Sequence, residues 1–532
     1  MSIDMPAGEG IQRHGWDGIV ESRVGNAWLP SGLTGWEMGV DKDPRRKASE
    51  NYAARVSDAL GLNPAQSCFV FVTPRNWPGK NRWLEEKKKQ GEWREVRAYD
   101  AHDLEQWLEI ASPAVNAWLS ELMGKPVGDL RSVRDWWSGF CTSTDPSLTP
   151  SLVLAGRETA RQKLSDWLDG STHLLEVRGD SPVEVLAFIA AVLTTLPEPQ
   201  RSSRQAQTLV VDSARASQSL LTVRDPLLLI MNSADLTAVG QLDQAGHRIV
   251  LPLGRNMGES DEALVLPRQP SREMAQALVS MGFSESKAEA GVRASGRSLL
   301  ALQRKLSKAP ALASPPWARP EVAGVLAAAL LAGGWNDEIE GDRNVLETLS
   351  GRRYGEFSKS VGQWLHVPDA PLRRVGAVWR LVAPLDAWLL LGRFLSQDDL
   401  QTFRKVAMEV LGFPDPRFDL PLEKRWMASA YGKSIPYSNW LREGLTESLA
   451  LLATYAGQAR VEVPARPEDW MNGIVRELLH EAPPVRWGSI ADLLTLLAEA
   501  APAAFLEAVE DEMTKEAPAV MALFDEEGDL GG

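Results

Sequence analysis

Two carboxylates near the start of the chain stand where metal chemistry would need them. In GIQRHGWDGIVESRVGNAWLPSGLTGWEMGVDKDPRRKASENYAAR, Asp17 is framed by Trp16 and Gly18, and Glu37 lies between Trp36 and Met38. Both fall in otherwise apolar, strand-like segments, WDGIVES and GWEMGV. A charged group in such a place is costly unless something pairs with it. A divalent cation is one such partner, and two hard oxygen donors suit Mg2+ (or Mn2+), which keeps waters that substrate oxygens can replace. Two plainer readings stand beside this one. Asp17 could be the turn residue of WDG, and Glu37 the ion-pair partner of Arg45 or Arg46.

The elements that must position this pair read as α/β. WDGIVES (16–22), AWLP (27–30) and GWEMGV (35–40) alternate as strands separated by Gly, Asn and Ser turns. Asp43-Pro44 opens a helix with proline at its first position, and the pattern stops near Gly61. CFVFVTP (68–74) is a continuous apolar run, the mark of a buried strand. EWREVRAYD (92–100) predicts another strand, Asp100 or His102 leads into a helix, and Pro113 starts a further one.

The order Asp, hairpin, Glu, helix, strand, strand resembles the PD-(D/E)xK nuclease superfamily. The whole block looks like a restriction endonuclease-like domain found at the N-terminus of large bacterial defence proteins, covering residues 1–126. The resemblance implies that Asp17 and Glu37 bind Mg2+ beside a lysine that steadies the attacking water. Gly39 stands where that lysine is expected, two residues after the Glu. In superfamily members lacking it the amine often moves to the following helix, so Lys47 is the first candidate and Lys42 the second. Glu9 or Gln12 could supply a further ligand, and His14 could neighbour the substrate. Arg45, Arg46, Lys80 and Arg82, from the basic clusters KDPRRK and KNRWLEEKKK, would touch DNA phosphates. Each cluster reads equally well as a solvated helix face. Trp77 and Trp83 could stack on bases, although tryptophans at such spacing more often serve as core.

Residues 127–150 end in a Ser, Thr and Pro-rich stretch and read as a linker. From 151 to 310 the pattern is a short strand at LVLAG followed by GRE and an amphipathic helix. Strands at HLLEVRG, QTLVVDS, PLLLIM and HRIVLPLG then alternate with helices, as in a parallel βαβ sheet. LAGRETARQKLSDWL resembles the entry to STAND-type P-loop NTPase modules. At the phosphate-loop position Gly179 and Ser181 are present, but no lysine is, and Asp180 would repel phosphate. Asn232 and Ser233 stand where a magnesium-holding carboxylate is expected, with only Asp235 nearby. ATP chemistry is therefore not expected, and no cofactor-binding residue is assigned to this P-loop-like domain. Arg297 in SGRSLLAL stands either where a sensor arginine could or as an exposed residue at a helix cap.

Residues 311–532 read as an all-α, solenoid-like region of stacked helical hairpins, a sensor or assembly region ending on FDEEGDLGG as a fragment of a longer protein would. With 44% apolar and 24% charged residues the chain is globular in composition. A net charge of −14 argues against a general nucleic-acid coat, although the first 126 residues are close to neutral. Two cysteines, Cys68 and Cys141, exclude a disulfide scaffold and fit a reducing cytosol. No apolar run is long enough to cross a membrane. The expectation is a cytoplasmic, Mg2+-dependent DNA endonuclease of a bacterial defence system. It would meet a phage or partner-protein trigger and form a homo-oligomer or multi-protein complex. The alternative is a non-enzymatic assembly protein with an inactive nuclease fold.

Overall fold

In a computed structural model, residues 2–5, 15–111, 113–123, 129–223, 225–232, 238–257, 260, 262–367, 369–463 and 466–524 are described. Glu9, Gln12, His14, Ser233 and Asp235 lie outside the described residues. The chain forms two compact units, Met1–Asn116 and Ala117–Gly532. Among the described residues no helix is long and apolar enough to cross a membrane.

The first unit is a five-stranded mixed sheet in chain order. β1 (Ser2–Asp4), β2 (Gly18–Ser22) and β3 (Gly32–Met38) are antiparallel, and β4 (Cys68–Val72) and β5 (Glu95–Tyr99) continue parallel to β3. β4 is buried along almost its whole length, as its unbroken apolar run requires. One face of the sheet is covered by α1 (Pro44–Ser57) and α2 (Lys80–Gln90), through Ala48, Tyr52 and Trp83 on Phe69 and Phe71. On the other face Val20, Trp36, Val70 and Tyr99 pack with Trp28 and with Trp107 of α3 (Ala101–Glu109). Asp43 caps α1 by accepting from the Arg46 N–H at 3.1 Å, ahead of Pro44 at its first position. The strand expected over 27–30 is instead a loop. The Asn26 carboxamide accepts from the N–H groups of Trp28 and Leu29 at 2.9 and 2.7 Å, which turns the chain and leaves no ladder. Trp77 and Trp83 are 5% and 1% exposed with ring centroids 5.3 Å apart, so both are core and not a stacking platform for bases.

The second unit begins where the linker was expected. β6 (Leu130–Ser132) pairs with β8 (Thr208–Val211), and α5 (Val133–Thr142) buries Trp136, Trp137, Phe140 and Cys141. The Ser, Thr and Pro content of 143–150 drew attention away from this aromatic helix. Arg131 pins β6 with two hydrogen bonds to Asp212, at 2.6 and 2.8 Å. β7 (Leu174–Gly179), β8, β9 (Leu228–Met231), β10 (Arg248–Gly254) and β11 (Leu264–Val265) form a parallel sheet in the order β11-β7-β10-β9-β8, with β6 antiparallel at its edge. LVLAG is not a strand: α6 (Pro150–Leu154) starts on a Thr149 cap, followed by α7 (Glu158–Asp169). α8 (Pro182–Thr194) is buried through its middle, as its near-continuous apolar sequence demands.

Two hydrophobic cores occupy this unit, one spanning Val133–Leu302 and one Trp317–Val520. The second region is not all-α. β12 (Gly334–Asn336), β13 (Leu372–Val375) and β14 (Val378–Leu381) form an antiparallel sheet in the order β12-β14-β13. RVGAVWRL, expected within a helix, is a hairpin turning at Gly376 with φ +60°. Trp335 and Trp379 stack across it at 5.4 Å. Nor is the region a solenoid. The helix Asn439–Ala459 packs against β12, the helix Pro384–Leu391 and the later helix Leu494–Ala500 around one core, where a solenoid repeat would touch only its neighbours.

Desolvation pushes the Glu447 carboxyl on that helix up to about 7, reinforced by Glu443 and opposed by Arg380 and Arg268. Its folded value lies above the unfolded one, so between about pH 4.5 and 7 the folded state binds more protons and stability falls as pH rises. The full chain is expected to melt at a lower temperature at pH 7.5 than at pH 5.5. Glu447→Gln should flatten that difference by about 1–3 kcal/mol, measured by calorimetric unfolding across the window. A wild-type slope of the opposite sign would contradict the assignment.

Candidate functional site

The register of β2 on β3 sets the two carboxylates side by side. Gly18 faces Trp36, so Asp17, one residue before β2, falls opposite Glu37. Directly opposed residues project to the same face with Cβ atoms about 5 Å apart. That face carries α1, since Leu33, Gly35 and Glu37 alternate with Thr34 and Trp36. Gly35 is required here: a Cβ would meet the Trp16 indole at 2.6 Å. Asp17 Oδ2 accepts from the Met38 N–H at 2.6 Å, which ties the start of β2 to the end of β3. Asp17 therefore holds the two strand ends together, a role close to the turn reading.

Glu37 is 5% exposed. Its Oε2 accepts from Asn51 Nδ2 at 2.9 Å, and its Oε1 accepts from Arg55 Nε. Arg55 also donates to the Gly15 carbonyl at 2.6 Å and lies over the Trp16 ring at 5.0 Å. Burial pushes the Glu37 carboxyl above the usual carboxylate range. Arg55 opposes the shift, Asp17 adds to it, and Lys47 opposes it further. The ion-pair partner is thus Arg55, and neither Arg45 nor Arg46.

Lys47, Asn51 and Arg55 recur every four residues along α1 and so form one ridge facing Glu37. That spacing in KASENYAAR was the available signal for Asn51 and Arg55, which reading the sequence for a lysine alone passes over. Lys47 lies on Gly39: a Cβ at position 39 would come 2.9 Å from Lys47 Cγ and 2.8 Å from Phe71 Cζ. The lysine stem of the helix thus lies against the position where a lysine two after the Glu would begin. Lys47 is half-buried and forms no ion pair among the described residues. Lys42 is exposed and is not among the charges acting on Glu37.

Gly39→Ala is expected to disturb Lys47 and Phe71 at a cost of about 1–3 kcal/mol in stability. If Lys47 takes part in chemistry, the variant should also lose about tenfold in rate. Melting and plasmid cleavage measured together check this; full activity with a lowered melting temperature would leave Lys47 a packing residue.

The four expected phosphate contacts divide. Arg45 and Arg82 both pair with Glu86, at 3.2 and 3.4 Å, and Arg46 pairs with Asp41 and Glu50, all on exposed surface. Lys80 is different. Its ammonium is shared by Asp100, at 3.0 Å, and Asp103, with 13% of the side chain exposed. It ties α2 to the capping box of α3 and is not available to a phosphate.

Two carboxylates and a neighbouring lysine fit a magnesium ion in donor chemistry. Each Glu37 oxygen accepts one hydrogen bond and has a second lone pair, and among the described residues Asp17 Oδ1 accepts none. The Arg55 guanidinium competes for the same carboxylate. No group of three or more potential metal ligands occurs among the described residues.

The turn singled out in the second unit is filled by its own side chains. Between β7 and α8, Asp180 Oδ1 accepts from Arg255 and Arg268 at 3.0 and 3.3 Å, and the Asp180 N–H donates to Glu184 at 3.1 Å. Arg157 of the GRE sequence pairs with Glu184, both side chains 1% exposed. Carboxylates thus stand where a phosphate loop would cradle phosphate, each neutralised by arginine. Asn232 donates to Asp212 at 2.6 Å. Compared with known proteins, the chain matches no protein-family model, and no curated protein matches it significantly.

Proposed function

We propose that the first unit is a Mg2+-dependent nuclease domain acting on DNA. Asp17 and Glu37 would hold the ion. Bound there, it would polarise the phosphodiester and lower the pKa of the attacking water. The observation that carries the reading is the convergence of Asp17, Glu37 and Lys47, the last lying over Gly39. Hydrolysis forms a bond from water oxygen to phosphorus and breaks one phosphorus–oxygen ester bond. Lys47, as an ammonium, would steady the attacking water and the charge that gathers on the phosphoryl oxygens. Asn51 and Arg55 orient the Glu37 carboxylate. Arg45, Arg46 and Arg82 have only exposed ion pairs, each worth about 0–1 kcal/mol, and can exchange them for phosphates.

The resemblance to defence-protein nuclease domains supplies the proposed setting, a bacterial cytoplasm in which cleavage is restrained until a phage component or partner protein is met. The second unit would provide that restraint as a nucleotide-fold scaffold with a helical sensor region, working in an oligomer or larger complex. Its filled strand-to-helix turn supports a scaffold that does not hydrolyse ATP.

A specific observation favours the second reading, an assembly protein with an inactive nuclease fold: both Glu37 oxygens are engaged, by Arg55 and Asn51. Plasmid degradation with Mg2+ at several protein concentrations separates the two. Asp17→Ala should be inert where wild type cuts; equal inertness of both under all conditions would favour assembly.

A further inference from the structure

A cavity of about 880 Å3 opens in the second unit between the helices Ser271–Ser280 and Glu285–Ala294 and the last turns of Asn439–Ala459. Arg272, Arg293 and Arg297 line it. A smaller cavity of about 200 Å3 shares Gln458 as a wall and is bordered by Lys305, Arg393 and Arg460. None of these six cations forms a salt bridge with a described residue. By contrast, Arg304, which borders the smaller cavity, is paired with Asp386 and Asp369 at 2.9 Å. Glu285 and Glu289 also line the larger cavity, so the cationic side predominates without being uniform. In a chain of net charge −14, six unpaired cations around one groove concentrate positive potential locally.

Backbone strain points to the same place. Arg297 and Arg460 have φ of +65° and +56°, a left-handed conformation that favours glycine. Both stand just beyond helices, where glycine is the usual residue. Their backbone hydrogen bonds, Arg297 N–H to the Val292 carbonyl at 3.2 Å and Arg460 N–H to the Gly457 carbonyl at 3.3 Å, would be made equally well by glycine. What arginine adds at either position is its guanidinium. Strain kept at a ligand-facing position is a recurrent sign of function.

We infer that this groove binds a compact anion carrying several linked phosphates. The larger cavity has the volume of a small-molecule site. The aromatic side chain lining it, Tyr455, is 6% exposed and offers no ring face to a base. Single-strand binders stack bases on such rings, so the groove suits a small polyphosphate better than a nucleic-acid strand. The site owes nothing to the nuclease reading of the first unit.

The test is calorimetric titration of the full chain with sodium tripolyphosphate in magnesium-free buffer, at two salt concentrations. Wild type should bind, more weakly at the higher salt. Arg297→Gly with Arg460→Gly should bind about tenfold more weakly or worse while melting no lower than wild type, because glycine relieves both turns. Arg272→Gln with Arg293→Gln, on exposed helix faces, gives the same readout without touching a turn. Absence of binding by wild type, or undiminished binding by both double variants, overturns the proposal. So does a short single-stranded DNA that binds more tightly than tripolyphosphate and loses that binding in the same variants.

Discussion

Replacing Glu37 by Gln is expected to lower Mg2+-dependent plasmid cleavage by the full chain about a thousandfold or more, to the rate of a protein-free control. The substitution preserves size, and the amide oxygen can still accept from either Asn51 or Arg55. It removes the negative charge that would hold a cation and leaves Arg55 without its counter-charge next to Trp16. A stability loss is therefore also expected, about 1–3 kcal/mol, since only 16% of the Arg55 side chain is exposed. Glu37→Gln that melts somewhat lower, remains folded at the assay temperature and does not cut fits the account. A folded variant that cuts at the wild-type rate would remove Glu37 from the chemistry and leave it a structural partner of Arg55.

Arg157→Ala should have the largest effect on stability, about 3–5 kcal/mol, read from denaturant unfolding of the second unit. The Arg157 guanidinium donates to the Pro267 and Val153 carbonyls at 3.1 and 3.2 Å as well as to Glu184. Its loss strands a carboxylate that is itself 1% exposed and already accepts from the Asp180 N–H. Arg157→Ala with Glu184→Met, which removes both charges and fills part of the space, should recover much of the loss, because uncompensated charge is the main cost. A single variant within 1 kcal/mol of wild type, roughly the scale of an exposed pair, would mean that water reaches Glu184.

The elements around the candidate site were largely legible because their signals are local. Asp43-Pro44 starts a helix by cap and fixed φ, and CFVFV can only be a strand buried on both faces. The convergence of Asp17 and Glu37 was a matter of register, carried by the alternation of two strands. The loop at 27–30 was misread because Asn26 turns the chain through its side chain, a hydrogen bond that an apolar AWLP run conceals. Lys80 looked like a surface cation from its neighbours KNR. Its partners Asp100 and Asp103 are remote in sequence and meet it only when α2 returns along β5. The same distance hid Arg55 from Glu37 and the hairpin at 372–381, whose alternation is short and flanked by strong helical patterns.

The central claim is that Asp17 and Glu37 share one divalent cation, and a crystal soaked in Mn2+ tests it most directly through the anomalous signal. One peak within coordination distance of both carboxylates, about 2–2.5 Å, with the Arg55 guanidinium moved off Glu37, is the predicted result. Crystals at saturating Mn2+ that show no peak there, with Arg55 and Asn51 still bonded to Glu37, would contradict it.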